Sequence, residues 1–197
     1  MLKTAGHVKK HYKPVCLIFE AFKDRAEGAT LENYIKEVEK HAGNIQDEDA
    51  RMSFKGDMLE VLAEIFFKAF ENNPAVGLRD YTPIPLDEDY GVDGKGVNAN
   101  GAGCAVQIKY RSNPFDLVTY AEIARTYTSA NVQLALDLKG NDRIYVFTTA
   151  LDANIQCHTV FKGMVRVLGK EAISREINNN QNFWLFAFDE IKETLIG

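Results

Sequence analysis

The sequence predicts an α/β fold with a mixed sheet, and three observations carry the prediction. Apolar residues recur at helical spacing in several long segments. Short β-branched and aromatic runs stand between those segments, and an Asn100-Gly101 pair separates two of the runs. At 197 residues, 46% hydrophobic and 26% charged, the chain can bury a core without staples. The same proportions exclude a disordered or low-complexity protein.

The elements follow in order. Val15, Ile18, Phe19 and Phe22 give a helix over 8–26, and Thr30 caps a second over 30–42, with Gly28 and Gly43 as punctuation. The tract NIQDEDARMS reads as a polar connection, so 1–50 is expected to form a helical N-terminal appendage and 51–197 the core. Ser53 or Asp57 then caps MLEVLAEIFFKAF, stopped by Asn72-Asn73-Pro74. Leu59, Leu62, Phe66 and Phe70 form its apolar stripe, and Glu60 and Glu64 project side by side next to it. Taken alone, that glutamate pair is what a solvated helix face supplies.

A connection, YTPIPL, and an acidic run, Asp87-Glu88-Asp89, lead into two strands around Asn100-Gly101, a pair suited to the positive φ of a tight hairpin. On the second strand Cys104, Val106, Ile108 and Tyr110 share one face, and Ala105, Gln107, Lys109 and Arg111 the other. A helix over 117–138, a strand over 143–150, a helix over 156–178, a strand NFWLFAF and a short C-terminal helix complete the order.

Three scattered cysteines without a CxxC argue against a disulfide framework or a cysteine zinc site. The apolar run behind the basic N-terminus, Val15 to Phe19, is too short for a signal-peptide core, and no stretch approaches a membrane span. A cytoplasmic protein with no membrane partner is expected. An acidic segment, 51–103, precedes a basic one, 104–175. A carboxylate-bound metal beside a phosphate-binding surface gives that pattern; so does ordinary scatter of surface charge.

If the hairpin pairs, Asp93, Gln107 and Lys109 converge on one sheet face at its open end. A carboxylate and an amide oxygen are hard ligands suited to Mg²⁺ or Mn²⁺. A lysine two residues on can orient water or neutralise charge on a phosphate. The alternative has Asp93 in a turn and the other two on an exposed strand face. GVDGKG lacks the spacing of a nucleotide phosphate loop. His7 and His11, four apart, read as solvated rather than metal-binding, and Cys157-His158 as a packed pair. Trp184 reads as core, with stacking on a base as its functional alternative.

Residues 54–111 resemble the catalytic core of the PD-(D/E)XK nuclease superfamily, in particular its Mrr-like restriction-endonuclease branch. The ordered matches are Gly56-Asp57-Met58-Leu59-Glu60, Gly91-Val92-Asp93 and Val106-Gln107-Ile108-Lys109, with a looser likeness over 142–197. The resemblance implies a restriction-endonuclease-like mixed central sheet flanked by helices. It implies a Mg²⁺-dependent DNA endonuclease, Mn²⁺ substituting, with Asp93, Gln107, the Ile108 carbonyl and Glu60 at the metal and Lys109 as catalytic lysine. Glu64 is the alternative helix acid. Arg111 is the first candidate for a phosphate contact, followed by Lys95 and Arg125. Expected partners are DNA, a second copy of the chain, and a helicase or translocase module. A non-catalytic nucleic-acid-binding or assembly module, a Holliday-junction-resolvase-like enzyme and an RNA-directed version are the rival readings.

Overall fold

Backbone hydrogen bonds in the computed structural model, which describes residues 1–23, 28–85 and 91–196, order five strands as β1-β2-β3-β4-β5. The strands are β1 (Leu78–Pro83), β2 (Gly94–Asn98), β3 (Gly103–Lys109), β4 (Ile144–Thr148) and β5 (Val165–Leu168). The first three pair antiparallel and the last two join in parallel, giving a mixed sheet. Helices α1 (Ala5–Lys10), α2 (Tyr12–Lys23), α3 (Leu31–Ala42) and α4 (Glu48–Ala69) precede the sheet. Within and after it come α5 (Tyr120–Val132), α6 (Ile155–Val160), α7 (Lys170–Ile177) and α8 (Gln181–Ile196). No described helix is long and apolar enough to cross a membrane.

The chain divides into two compact units, one of residues 1–69 with 172–197, the other of 70–171. Helix α4 therefore runs through residue 50, where the sequence suggested a boundary. Asp47 starts it earlier than expected: its side chain accepts the Ala50 N–H at 2.7 Å, so neither Ser53 nor Asp57 is a cap.

In the sheet unit, Ala105 of β3 and Ile144 and Val146 of β4 share a face with Val118, Ile123 and Ala130. Helix α5 packs on that face. It opens on a reciprocal cap in which Thr119 and Glu122 satisfy each other's backbone, and it is shorter than the 117–138 expected. Two further segments differ from expectation. The first half of YTPIPL, Tyr81–Pro83, ends the edge strand β1, where Pro83 costs no ladder bond and a bulge between Arg79 and Thr82 absorbs the irregularity. The 156–178 segment breaks at Gly163, in the left-handed region at φ 74°, and β5 follows.

The helical unit centres on aromatic packing. Trp184 of α8 is 1% exposed and stacks on Phe22 of α2 at 4.7 Å between ring centroids. Its indole N–H is shared between the carbonyls of Ala29 (3.0 Å) and Ile177 (2.9 Å). Tyr34 of α3, fully buried, donates to the Met58 carbonyl of α4 at 2.7 Å. NFWLFAF is thus helix rather than strand. Asn180 caps it by accepting the Phe183 N–H at 3.1 Å, and the buried set Phe183, Trp184, Ala187, Ile191 follows the helical period. Base stacking by Trp184 is excluded by its burial.

Candidate active site

Asp93 lies one residue before β2, and its backbone is pinned from both sides. Its N–H donates to the Val106 carbonyl of β3, and its carbonyl accepts from Ile84 N–H, both at 3.0 Å. The β2–β3 register pairs Gly94 with Val106, so one further step sets Asp93 opposite Gln107. Residues directly opposite in an antiparallel pair share a face, and so does Lys109, two residues along. The Gly91-Val92-Asp93-Gly94 tract is shaped by its glycines. Gly91 has φ +100°, and a side chain there would press on the Arg125 stem, while one at Gly94 would collide with the Tyr81 ring.

The side chains follow that register. One Asp93 carboxylate oxygen accepts both the Gln107 side-chain NH₂ and the Ile108 backbone N–H. The Gln107 amide oxygen in turn accepts the hydroxyl of Thr126, on α5, at 2.5 Å. Gln107 is only 2% exposed, so this strand face is roofed by α5 rather than open. Lys109 ends β3 half-buried. Its carbonyl accepts from the Thr148 hydroxyl at 2.7 Å, which fixes its Cα, and it has no ion-pair partner among the described residues.

Arg111 does not stand free as a phosphate contact. Its guanidinium donates to Glu122 at 2.6 Å and faces Asp116 at 3.5 Å. Burial alone would raise the Glu122 carboxyl, but Arg111 and the Thr119 cap outweigh it and hold it below the ordinary carboxylate range. Lys95 and Arg125 are exposed. The acidic run Asp87-Glu88-Asp89 lies outside the described residues.

Glu60 and Glu64 belong to the helical unit, where their roles separate. Glu64 is buried and structural: its two oxygens accept Lys3 N–H at 2.7 Å, Thr4 N–H at 2.8 Å and the Thr4 hydroxyl at 2.7 Å. Glu60 is more exposed and accepts from His7 Nε2 at 3.1 Å. His7 and His11 are not solvated. His7 Nδ1 faces Asp57 Oδ1 at 3.4 Å, and Asp57 Oδ2 takes His11 Nε2 at 2.7 Å and Lys10 Nζ at 2.8 Å. Burial would lower the His7 pKa, but pairing with Asp57 and Glu60 prevails and pushes it up to about 9. Burial opposes ionisation of Asp57 as well, yet hydrogen bonds from His7, Lys10 and His11, with the charge of His7, hold the carboxyl well below the usual range. The sequence signals each spacing singly but not that α1 and α4 bring them together.

A pH prediction follows from this cluster. Asp57, depressed on folding, adds stability above pH about 4 that is lost as the pH falls. His7, raised on folding, adds stability below its ordinary 6.5 that is lost as the pH rises towards about 9. Asp57→Asn is expected to cost about 3 kcal/mol at pH 7, since it removes the carboxylate that pairs with buried His7 and holds His11 and Lys10, and to flatten the acid limb. Urea unfolding of both proteins at pH 3, 5 and 7 checks this; parallel pH curves would refute it.

Donor chemistry decides whether a cation fits the sheet-unit site. Asp93 carboxylate, Gln107 amide oxygen and Ile108 carbonyl are all hard oxygen donors of the type Mg²⁺ takes. The set is short of charge: among the described residues no group of three or more His, Cys, Asp or Glu side chains is placed to hold a metal. No protein-family model matches this chain, and no curated protein matches it. The functional reading therefore rests on the site itself.

Proposed function

We propose that the chain is a Mg²⁺-dependent DNA endonuclease with a restriction-endonuclease-like core. The observation that carries this reading is the convergence of Asp93, Gln107 and the Ile108 backbone across one hairpin, with Lys109 next along the same face. Asp93, the Gln107 oxygen and the Ile108 carbonyl would hold the cation, which when bound supplies a Lewis acid for the phosphodiester and its leaving oxyanion. Lys109, fixed by its backbone at the strand end, orients the attacking water and offsets charge growing on the phosphoryl oxygens. Exposed Lys95 and Arg125 are the cations at liberty to meet backbone phosphates. A second copy, and a helicase or translocase module acting with it, belong to the same proposal.

The test is plasmid nicking with Mg²⁺ or EDTA, wild type against Asp93→Ala, with a four-way DNA junction and an RNA hairpin as further substrates. Nicking that needs both the metal and Asp93 supports the reading, and equal cleavage by both proteins discards it. Junction-restricted cutting would make the enzyme resolvase-like.

One observation favours a non-catalytic DNA-binding or assembly module instead. Gln107 turns its NH₂ rather than its oxygen towards Asp93. Such a module has no metal-dependent turnover and no rise in melting temperature with Mn²⁺. A working site stabilises the fold by RT ln(1 + [M]/Kd).

A further inference from the structure

We propose that Thr126 is the positioning residue that sets which end of the Gln107 amide faces Asp93; this rests on the nuclease reading. The amide has two unlike ends. Its oxygen is the end that suits a hard cation, while its nitrogen repels one and donates to a carboxylate. Nitrogen now faces Asp93, and oxygen faces Thr126.

For the oxygen to serve a cation beside Asp93, the amide makes a half turn and brings Nε2 to Thr126. A hydroxyl serves both states because it donates and accepts. In the observed state it donates to Gln107. In the turned state it accepts from Nε2, and its own proton goes to the Gly91 or Glu122 carbonyl, each 3.2 Å from Oγ1. Both Gln107 and Thr126 are buried, at 2% and 0% exposure, so water does not replace the hydroxyl. Thr126 itself is held on the buried side of α5 with Ile123 and Ala130, one turn beyond the Thr119–Glu122 cap. Valine there fills the same volume but leaves an amide end unpaired in either orientation, and Gln107 loses its fixed place.

The experiment measures Mn²⁺ affinity by calorimetry on the full chain without DNA. It compares wild type, Thr126→Ser, Thr126→Val, Gln107→Ala and the Gln107→Ala/Thr126→Val double variant. Thr126→Val should raise Kd about tenfold and Thr126→Ser no more than about twofold, the range for a partner that orients a ligand. With alanine at 107, Thr126→Val should add nothing, because the residue acts through Gln107. The Gln107 side-chain NH₂ resonances of the wild type should shift on Mg²⁺ saturation as the amide turns. Wild-type Kd in Thr126→Val, or an equal penalty in the Gln107→Ala background, overturns the inference. Unmoved Gln107 resonances in a metal-bound wild type overturn it too, even if Thr126→Val does not fold. A wild type that binds no Mn²⁺ discards the nuclease reading itself, whereas a wild type that binds beside an unaffected Thr126→Val discards only the role of Thr126.

Discussion

Lys109→Ala is expected to slow Mg²⁺-dependent cleavage by about 10²- to 10⁴-fold, the range for loss of a positioned group that handles the proton or charge of the reaction. DNA affinity should change by less than about tenfold, because a single cation carries a small part of an interface made of many phosphate contacts. The geometry explains the asymmetry. Lys109 pairs with Thr148 in the parallel register of β3 and β4, and the Thr148 hydroxyl fixes its carbonyl at 2.7 Å. The Cα is therefore held by two strands while the side chain keeps no ion-pair partner among the described residues. Arg111 is the built-in control. Its guanidinium is engaged by Glu122 at 2.6 Å, so Arg111→Ala should act mainly on the stability of the α5 N-terminus. Single-turnover cleavage and equilibrium DNA binding, measured on both variants, separate the two effects. A Lys109→Ala variant that loses affinity and rate in parallel would reduce Lys109 to a phosphate contact.

How much of this was legible in the sequence depended on the range of the interactions involved. The hairpin was readable, because Asn100-Gly101 and the alternation of 104–111 are local signals, and its register follows from the turn. The capping box at Thr119 is a local signal too, yet the expected helix start at 117 passed over it. What escaped was set at a distance or by competing propensities. Nothing in the spacing of Gln107 says that Thr126, nineteen residues on, will meet its amide oxygen, or that α5 will roof that strand face. Nothing in Arg111 announces Glu122. His7 and His11 looked like surface residues because their partner Asp57 lies some fifty residues away on α4 and resembled a cap. The prolines of YTPIPL argued against a strand, yet at a sheet edge the missing donor of Pro83 costs nothing. The aromatic density of NFWLFAF argued for a strand, where β-propensity mostly reports burial rather than backbone preference. There the cap Asn180 and the three-and-four spacing of the buried residues were the better guide.

That last reversal leads to the second large effect. Trp184→Ala should destabilise the protein by about 3–5 kcal/mol, the usual cost of deleting a large aromatic from a packed core. The indole is 1% exposed, stacked on Phe22 and met edge-on by Phe183 at 5.1 Å. Its removal also takes the shared indole donor from the Ala29 and Ile177 carbonyls, a smaller loss because each still accepts a backbone N–H, from Asn179 and Asn180 respectively. Trp184→Phe keeps most of the ring contact but not the N–H, and so should cost about 1–2 kcal/mol. The positional pattern is the sharper test. A strand would alternate, pairing Trp184 with Phe186 on one face and Phe183 with Leu185 on the other. A helix groups Phe183, Trp184, Ala187 and Ile191 inward and leaves Leu185 outside, 38% exposed. Leu185→Ala should therefore fall within about 0.5 kcal/mol of wild type, as exposed substitutions do, while Phe183→Ala costs several times more. Equal sensitivity at 183 and 185 in urea unfolding would restore the strand. It would also remove the helix on which the aromatic centre of the helical unit is built.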